Sequence, residues 1–106
     1  MADLLLHICQ HSDQTRVAVI GALEVSAARR AQHHLRRAID NTPAPQLVID
    51  LRCCTGIDTH GILTLIATHP AATAHGGTLT LSAVPPLIRD RLEQEPRARP
   101  LLPTNA

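Results

Sequence analysis

Two short runs of apolar residues near the amino terminus predict a pair of strands. Residues 4–9 are mostly apolar, and residues 16–21 are rich in β-branched side chains, which favour the extended conformation. The polar residues 11–14 between them are typical of a turn. The two strands are therefore expected to form an antiparallel hairpin.

Residues 26–40 then change to the spacing of an amphipathic helix. Apolar residues recur at helical intervals, at Ala28, Ala31, Leu35, Ala38 and Ile39. Ser26 is a suitable N-cap, and the proline-containing residues 41–45 end the helix after about Asp40. The opposite face is basic, and we interpret it as a solvated helix face.

Two further strands have different patterns. Residues 46–51 are apolar with almost no alternation, which predicts a strand covered on both faces, as in parallel sheets. Residues 78–83 alternate instead, with Leu79 and Leu81 on one face and polar residues on the other. Both are expected to be strands of one sheet.

A second helix is predicted between these strands. It begins at the step Asp58-Thr59-His60-Gly61 and ends at Gly76-Gly77, where glycine favours a helix terminus. Pro70 lies inside it and removes one backbone hydrogen bond, so a kink or a split near His69 is expected.

The carboxyl-terminal part predicts a third helix and a tail. Pro85 and Pro86 open the helix, because proline is tolerated in a first turn. Its apolar stripe up to Glu95 consists of Leu87, Ile88, Arg91 and Leu92. Residues 96–106 are rich in proline and predict a tail, in which residues 101–102 could add a short edge strand. An open helix face beside such a tail would be available for self-association.

The order of these elements predicts the fold class. Strand, strand, helix, strand, helix, strand and helix follow one another, and strand–helix–strand crossovers are almost always parallel and right-handed. We expect an α/β fold, a small mixed β-sheet of four to five strands with helices packed on it. Residues 1–95 form this domain and residues 96–106 the tail.

Composition excludes several classes of function. The 106 residues contain no Phe, Trp or Tyr, so the core must be aliphatic and no aromatic ring can stack on a base. The net charge of +1 also argues against direct binding of nucleic acid. No apolar stretch is long enough to span a membrane, and the acidic start is unlike a signal peptide, so the cytoplasm is expected.

The cysteines and histidines do not predict a metal site or a cofactor. Cys53-Cys54 and His33-His34 are adjacent pairs, which point in divergent directions on regular structure, and no Cys-x-x-Cys spacing occurs. We interpret Cys9 and the two adjacent cysteines as small buried hydrophobic residues.

Nothing in the chain predicts an enzyme. There is no nucleophile elbow, and Gly56 and Gly61 lack the lysine of a phosphate-binding loop. Asp50, a carboxylate in an apolar strand, is expected to hold the loop that precedes Asp58.

The start of the second helix is the segment whose residues could carry a function. Asp58 can accept hydrogen bonds from the amides of His60 or Gly61. The free amides of a helix N-terminus favour negative charge, whereas a phosphate close to Asp58 would be repelled. Such a place can therefore act as a switch for a docked partner.

These segments resemble the signature of STAS domains, which include the bacterial anti-sigma factor antagonists. The resemblance covers about residues 15–93. It rests on Leu-Val-Ile-Asp-Leu at 47–51, on Thr-Gly-Ile-Asp-Thr-His-Gly-Ile-Leu-Thr-Leu at 55–65, on Gly-Ala-Leu-Glu at 21–24, and on Gly-Gly-Thr-Leu and Ala-Val-Pro at 76–79 and 83–85.

The resemblance implies a cytosolic switch protein. Antagonists of this type bind an anti-sigma factor that is also a serine kinase, and thereby free a sigma factor for transcription. The kinase phosphorylates the second Ser of an Asp-Ser-Ser-Gly step, and the phosphorylated antagonist dissociates from the anti-sigma factor. Here Asp58 matches the Asp, Thr59 the first Ser, His60 the phosphoacceptor Ser and Gly61 the Gly.

The histidine at the phosphoacceptor position leaves three hypotheses open. The protein binds its anti-sigma factor but is not switched at His60, or Thr59 takes the phosphate instead, or the domain is an unphosphorylated scaffold or regulatory subunit of a signalling complex or lipid-transport system. A phosphohistidine at His60 is a fourth idea. The partner-binding surface that the resemblance implies consists of Glu24, Asp58, Thr59, His60, Gly61 and Thr64.

Overall fold

Strands β1 (Leu5–His11) and β2 (Gln14–Leu23) form the expected antiparallel hairpin, in which Ile8 is opposite Val17. The computed structural model describes residues 4–11, 14–42 and 46–102, so residues 12 and 13 of the predicted turn lie outside the described residues. Burial alternates along β2, with Val17 and Val19 buried. One face of the hairpin therefore contributes to the core.

Helix α1 (Val25–Asp40) has its predicted apolar stripe in the core, except for Ala38, which is half-buried. The prediction that Ser26 is its N-cap is wrong, because the extended residue before the helix is Glu24. The helix starts directly where β2 ends, which leaves no room for a cap two residues later. The side chain of Glu24 makes no capping hydrogen bond, so another group must satisfy the first amides of α1.

Strands β3 (Gln46–Asp50), β4 (Cys54–Ile57) and β5 (Thr78–Ser82) complete a five-stranded mixed sheet. The order is β1-β2-β3-β5, and β4 pairs in parallel with the end of β2. Strand β4 was not among the predicted elements. The fold class, a small mixed α/β sheet with helices packed on it, is confirmed.

The expectation that the third strand is covered on both faces is wrong. Leu47 and Ile49 are fully buried, but Val48 and Asp50 alternate with them and are half-buried. Strand β3 is thus covered completely on one face alone, although its other face is apolar at Val48. Hydrophobicity by itself could not distinguish the two arrangements, because an apolar residue can also lie on a partly exposed face.

Helix α2 (Thr59–Ala74) ends at the predicted glycines, with Gly76 in the left-handed region at φ 78°. It is not split at His69, since one continuous helix runs through Pro70. Packing explains the difference, because Thr68 and Ala72 on either side of Pro70 are buried against neighbouring elements. These contacts hold the helix together despite the missing backbone hydrogen bond.

Helix α3 (Pro86–Glu93) starts at proline as predicted, but its apolar stripe is narrower. Ile88 and Leu92 are buried, whereas Leu87 is 81% exposed and Arg91 is exposed. Two buried positions one turn apart are enough to fix a helix of this length on the core.

The expected tail begins with a structured element. Pro96–Leu101 form a 3-10 helix, and its Ala98 and Leu101 are fully buried against α2 and α3. This corrects the expectation of a tail for these six residues and excludes the edge strand at residues 101–102; residues 103–106 lie outside the described residues. Self-association, which was expected from an open helix face beside the tail, stays a prediction.

The core is aliphatic, as the absence of aromatic residues requires. Of the cysteines, Cys54 is buried, Cys9 is half-buried and Cys53 is exposed, so the prediction of three buried cysteines is wrong for two of them. Burial raises the pKa of the Cys54 thiol, which donates a hydrogen bond to the carbonyl oxygen of Gly56. None of the described helices is long and apolar enough to cross a bilayer.

Candidate functional site

Two parallel strands end side by side at the candidate site. Leu23 at the end of β2 pairs with Ile57 at the end of β4, and the next residues are Glu24 and Asp58. The N–H of Asp58 donates a hydrogen bond to the carbonyl oxygen of Leu23 (3.4 Å). Helices α1 and α2 therefore begin next to each other at one edge of the sheet, each preceded by an acidic residue.

The carboxylate of Asp58 caps α2 and also holds the start of α1. Its Oδ1 accepts a hydrogen bond from the N–H of Gly61 (3.0 Å), and its Oδ2 accepts one from the N–H of Val25 (3.1 Å). The cap on Gly61 confirms the prediction made from the sequence. Because the side chain of Glu24 does not cap α1, Asp58 is the group that accepts a hydrogen bond from the first amide of this helix.

These bonds favour the ionised form of Asp58. Burial raises the pKa of its carboxyl, but the hydrogen bonds from Gly61 and Val25 and the neighbouring His60 together outweigh that effect. The pKa therefore lies below its ordinary value of 3.8. The capping carboxylate is negatively charged at neutral pH, at the positive end of α2.

Gly61 lies where α2 presses on the end of β2. A Cβ at this position would collide with the carbonyl oxygen of Leu23 and lie 2.8 Å from Cγ1 of Ile57. Glycine is required by this close approach and not by its backbone angles. Gly61 is buried, which corrects its expected place on an exposed binding surface.

Thr64, which was also expected to be exposed, is only 5% exposed. Its hydroxyl lies within hydrogen-bond distance of the carbonyl oxygens of His60 (3.0 Å) and Ala28 (3.3 Å). Helical spacing placed Thr64 one turn after His60, but that turn faces α1. The side chain links the two helices instead of facing solvent.

Of the other expected residues, which lie together, Glu24, Thr59 and His60 are exposed and Asp58 is half-buried. Thr59 and His60 form the first turn of α2, and Nδ1 of His60 is 3.5 Å from Oδ2 of Asp58. Glu24 is exposed, and its Oε2 would be 3.2 Å from a Cβ on Gly56. The structure thus brings Glu24, Asp58, Thr59 and His60 to one surface.

Val25 is a site residue that the sequence did not indicate. It has φ 46°, a region that β-branched residues rarely adopt, and its side chain is 63% exposed. No sequence signal could have found it, because valine is neither a turn residue nor a usual surface residue. The hydrogen bond from its N–H to Asp58 ties this residue to the start of α2.

Asp50 has the role expected of it. Its Oδ1 accepts a hydrogen bond from the N–H of Arg52 (2.8 Å), and its Oδ2 lies 3.6 Å from the guanidinium of Arg16. It fixes the loop between β3 and β4. Across the described ranges 4–11, 14–42 and 46–102, no group of three His, Cys, Asp or Glu residues is arranged to hold a metal ion.

Known proteins share this fold. The model of the STAS domain family matches residues 7–96. The structure of the anti-sigma factor antagonist SpoIIAA in its unphosphorylated form matches with a TM-score of 0.71 and 12% identity, over 96% of this chain and 90% of that one.

An anti-sigma factor antagonist from Mycobacterium paratuberculosis is also similar, with a TM-score of 0.79 and 23% identity, over 96% of this chain and 87% of that one. None of the curated proteins matches the chain. At these levels of identity, the two solved structures show a shared fold.

Proposed function

This chain belongs to the STAS domain family, and we propose that it acts as an anti-sigma factor antagonist. It is a cytoplasmic bacterial binding module without catalytic activity. By binding an anti-sigma factor of the serine kinase type it releases the sigma factor and so regulates transcription.

The observation that carries this proposal is the turn held by Asp58. One carboxylate caps α2 and binds the first amide of α1, so the exposed side chains of Thr59 and His60 stand on a fixed backbone. Glu24 is exposed beside them. A rigid, charged and exposed turn at the end of two parallel strands suits recognition by another polypeptide.

His60 determines how this antagonist is regulated. An imidazole offers no hydroxyl to a serine kinase, so the protein binds its partner without being switched off at this position. Thr59 is exposed and carries a hydroxyl, but a phosphate there would lie next to the ionised Asp58. Charge repulsion opposes that modification, although the amides of the helix N-terminus would attract the phosphate.

Affinity capture from native cells, with identification of the bound proteins by mass spectrometry, tests the binding step. We expect an anti-sigma factor with a kinase-like ATPase domain, and reduced capture by an Asp58→Ala variant. Leu87→Ala, an exposed change on α3, is the matched control and should capture as much as the wild type.

A phosphorylation assay tests the regulatory step. The wild-type protein, Thr59→Ala and His60→Ser are incubated with the captured kinase and ATP, and their intact masses are measured. We expect one added phosphate on His60→Ser, which shows that the kinase is active, and none on the wild type. A phosphate on Thr59 of the wild type would contradict the unswitched antagonist.

A different result of the capture would indicate the alternative function. If the wild type captures no ATPase but returns a signalling complex or the components of a lipid transporter, the domain is a scaffold or regulatory subunit. The absence of a hydroxyl at His60 is the feature that favours this alternative.

A further inference from the structure

A groove runs between α1 and α2 from the turn that Asp58 holds. Its floor consists of two buried residues, Ala28 (1% exposed) and Thr64 (5% exposed). Its rims carry Val25 and Arg29 on α1, and His60 and Leu63 on α2. This α1–α2 groove is open to solvent and has a volume of about 520 Å³, which is within the range of binding sites.

Two aliphatic side chains make the rims apolar. Val25 is 63% exposed and Leu63 is 42% exposed, although both are large hydrophobic residues. Val25 is also held at φ 46°. Backbone strain in an exposed residue is characteristic of functional sites, because it persists only where the surroundings enforce it. The N–H of this strained residue donates a hydrogen bond to Asp58.

Charges of both signs lie near the groove, because the carboxylates of Glu24 and Asp58 are at its start, next to Val25. No carboxylate lines it among the residues that the structure describes, and Arg29 stands on its rim. The acidic residue of α1, Asp40, is at the far end of the helix. A carboxylate of the partner complements Arg29, which lies one helical turn beyond Val25 and so away from the two carboxylates at the start of the groove.

We propose that the α1–α2 groove binds a segment of the partner that carries an aliphatic side chain and a carboxylate. The aliphatic side chain packs between Val25 and Leu63, and a flanking carboxylate pairs with Arg29. This inference rests on the proposed function, since the partner is the anti-sigma factor. The groove starts at the turn held by Asp58, so a single partner contacts both the groove and the turn.

Binding of the purified anti-sigma factor identified by capture tests this proposal by calorimetry. Leu63→Asp and Arg29→Glu are each expected to raise the dissociation constant by about tenfold or more. Leu63→Asp introduces a charge into an apolar contact, and Arg29→Glu replaces an ion pair with a repulsion between two carboxylates. Circular dichroism of each variant verifies that it is folded.

Two matched controls separate contact from general charge. Arg30→Glu makes the same charge change one residue further along α1, but Arg30 lies at a different groove beside β1. Leu87→Asp places the same side chain on α3, where the leucine is 81% exposed. Both controls are expected to stay within about threefold of the wild type. Replacing the partner's carboxylate with arginine should restore the affinity of Arg29→Glu.

The outcomes distinguish this inference from the proposed function. If Asp58→Ala weakens binding but Leu63→Asp does not, the antagonist function stands and the groove is not its docking site. Equal losses for Arg29→Glu and Arg30→Glu also overturn the inference, because they indicate a general charge effect. A wild-type dimer that Leu63→Asp dissociates would assign the groove to a second copy. Failure of the wild type to bind any anti-sigma factor overturns both proposals.

Discussion

The carboxylate of Asp58 accepts a hydrogen bond from the backbone N–H of Val25, 33 residues earlier in the chain. The same carboxylate caps its own helix through the N–H of Gly61. One side chain therefore satisfies amides at the start of both α1 and α2, which would otherwise lack intrahelical partners. The turn is therefore joined by a hydrogen bond to Val25 on the rim of the α1–α2 groove.

The charge of Asp58 makes stability depend on pH. Its pKa is lower in the folded protein than its ordinary value of 3.8, so ionisation stabilises the fold. This contribution is complete above the ordinary value and is lost as the pH falls through the folded pKa. We expect Asp58→Asn to lower the free energy of unfolding at neutral pH, and the difference from the wild type to shrink below about pH 3.8.

Urea denaturation over a series of pH values measures this difference. Asparagine still favours the N-cap position, so Asp58→Asn tests the charge more than the cap. Asp90→Asn removes a carboxylate from an exposed position on α3 and serves as the control. A difference between wild type and Asp58→Asn that persists at low pH would exclude the charge as its cause.

Gly61→Ala tests the close approach of α2 to β2. Alanine normally favours a helix over glycine by about 1 kcal/mol. Here its Cβ would collide with the carbonyl oxygen of Leu23, so we expect a loss of about 2 kcal/mol in the free energy of unfolding.

Gly76→Ala is the matched control for this loss. Its Cβ would meet nothing within 4 Å, but φ is 78°, which costs alanine about 1 kcal/mol. Chemical denaturation compares the two variants. A Gly61→Ala protein that is as stable as the wild type would show that α2 can move away from β2 without loss.

Val25→Gly should change stability and binding in opposite directions. Glycine adopts a positive φ without strain, so the free energy of unfolding should rise by about 1 kcal/mol. The exposed valine side chain contributes little to the core but forms the groove rim, so affinity for the anti-sigma factor should fall. Thermal unfolding and calorimetry measure the two effects.

Ala83→Gly is the control for Val25→Gly. Ala83 also has a positive φ, 53°, and is exposed after β5, outside the groove. We expect the same gain in stability with unchanged affinity. If Ala83→Gly weakened binding as much as Val25→Gly, the affinity loss could not be assigned to the rim of the groove.

Leu101→Ala tests whether the 3-10 helix belongs to the core. Leu101 is 1% exposed, and truncating a buried leucine costs about 3 kcal/mol because it leaves a cavity. Leu87→Ala, at a position that is 81% exposed, should change the free energy of unfolding by less than about 0.5 kcal/mol. If the two variants changed the free energy of unfolding equally in a urea titration, residues 96–101 would not be part of the core.

Much of the fold could be predicted because its periodicity is local. The alternation of Leu79 and Leu81 indicates a strand, and Gly76 indicates a helix end. Both conformational preferences are set by residues close together in the chain. Strand β4 was not predicted, because it depends on a contact between segments far apart in the chain. It has four residues, and its pairing with β2, where Leu23 is opposite Ile57, is what makes it a strand.

The candidate site divides in the same way. The cap by Asp58 and the position of His60 follow from a few consecutive residues, as does the resemblance that placed them at a switch. The burial of Gly61 and Thr64 does not, because it depends on how closely α2 packs against β2 and α1.

From the amino-acid order one can derive the α/β class, the approximate positions of three helices and four strands, and the turn that begins at Asp58. The strained Val25, the α1–α2 groove and the buried 3-10 helix arise from contacts between segments far apart in the chain. Short-range preferences are encoded in neighbouring residues, whereas close approach, burial and shared hydrogen bonds exist only after distant segments have packed together.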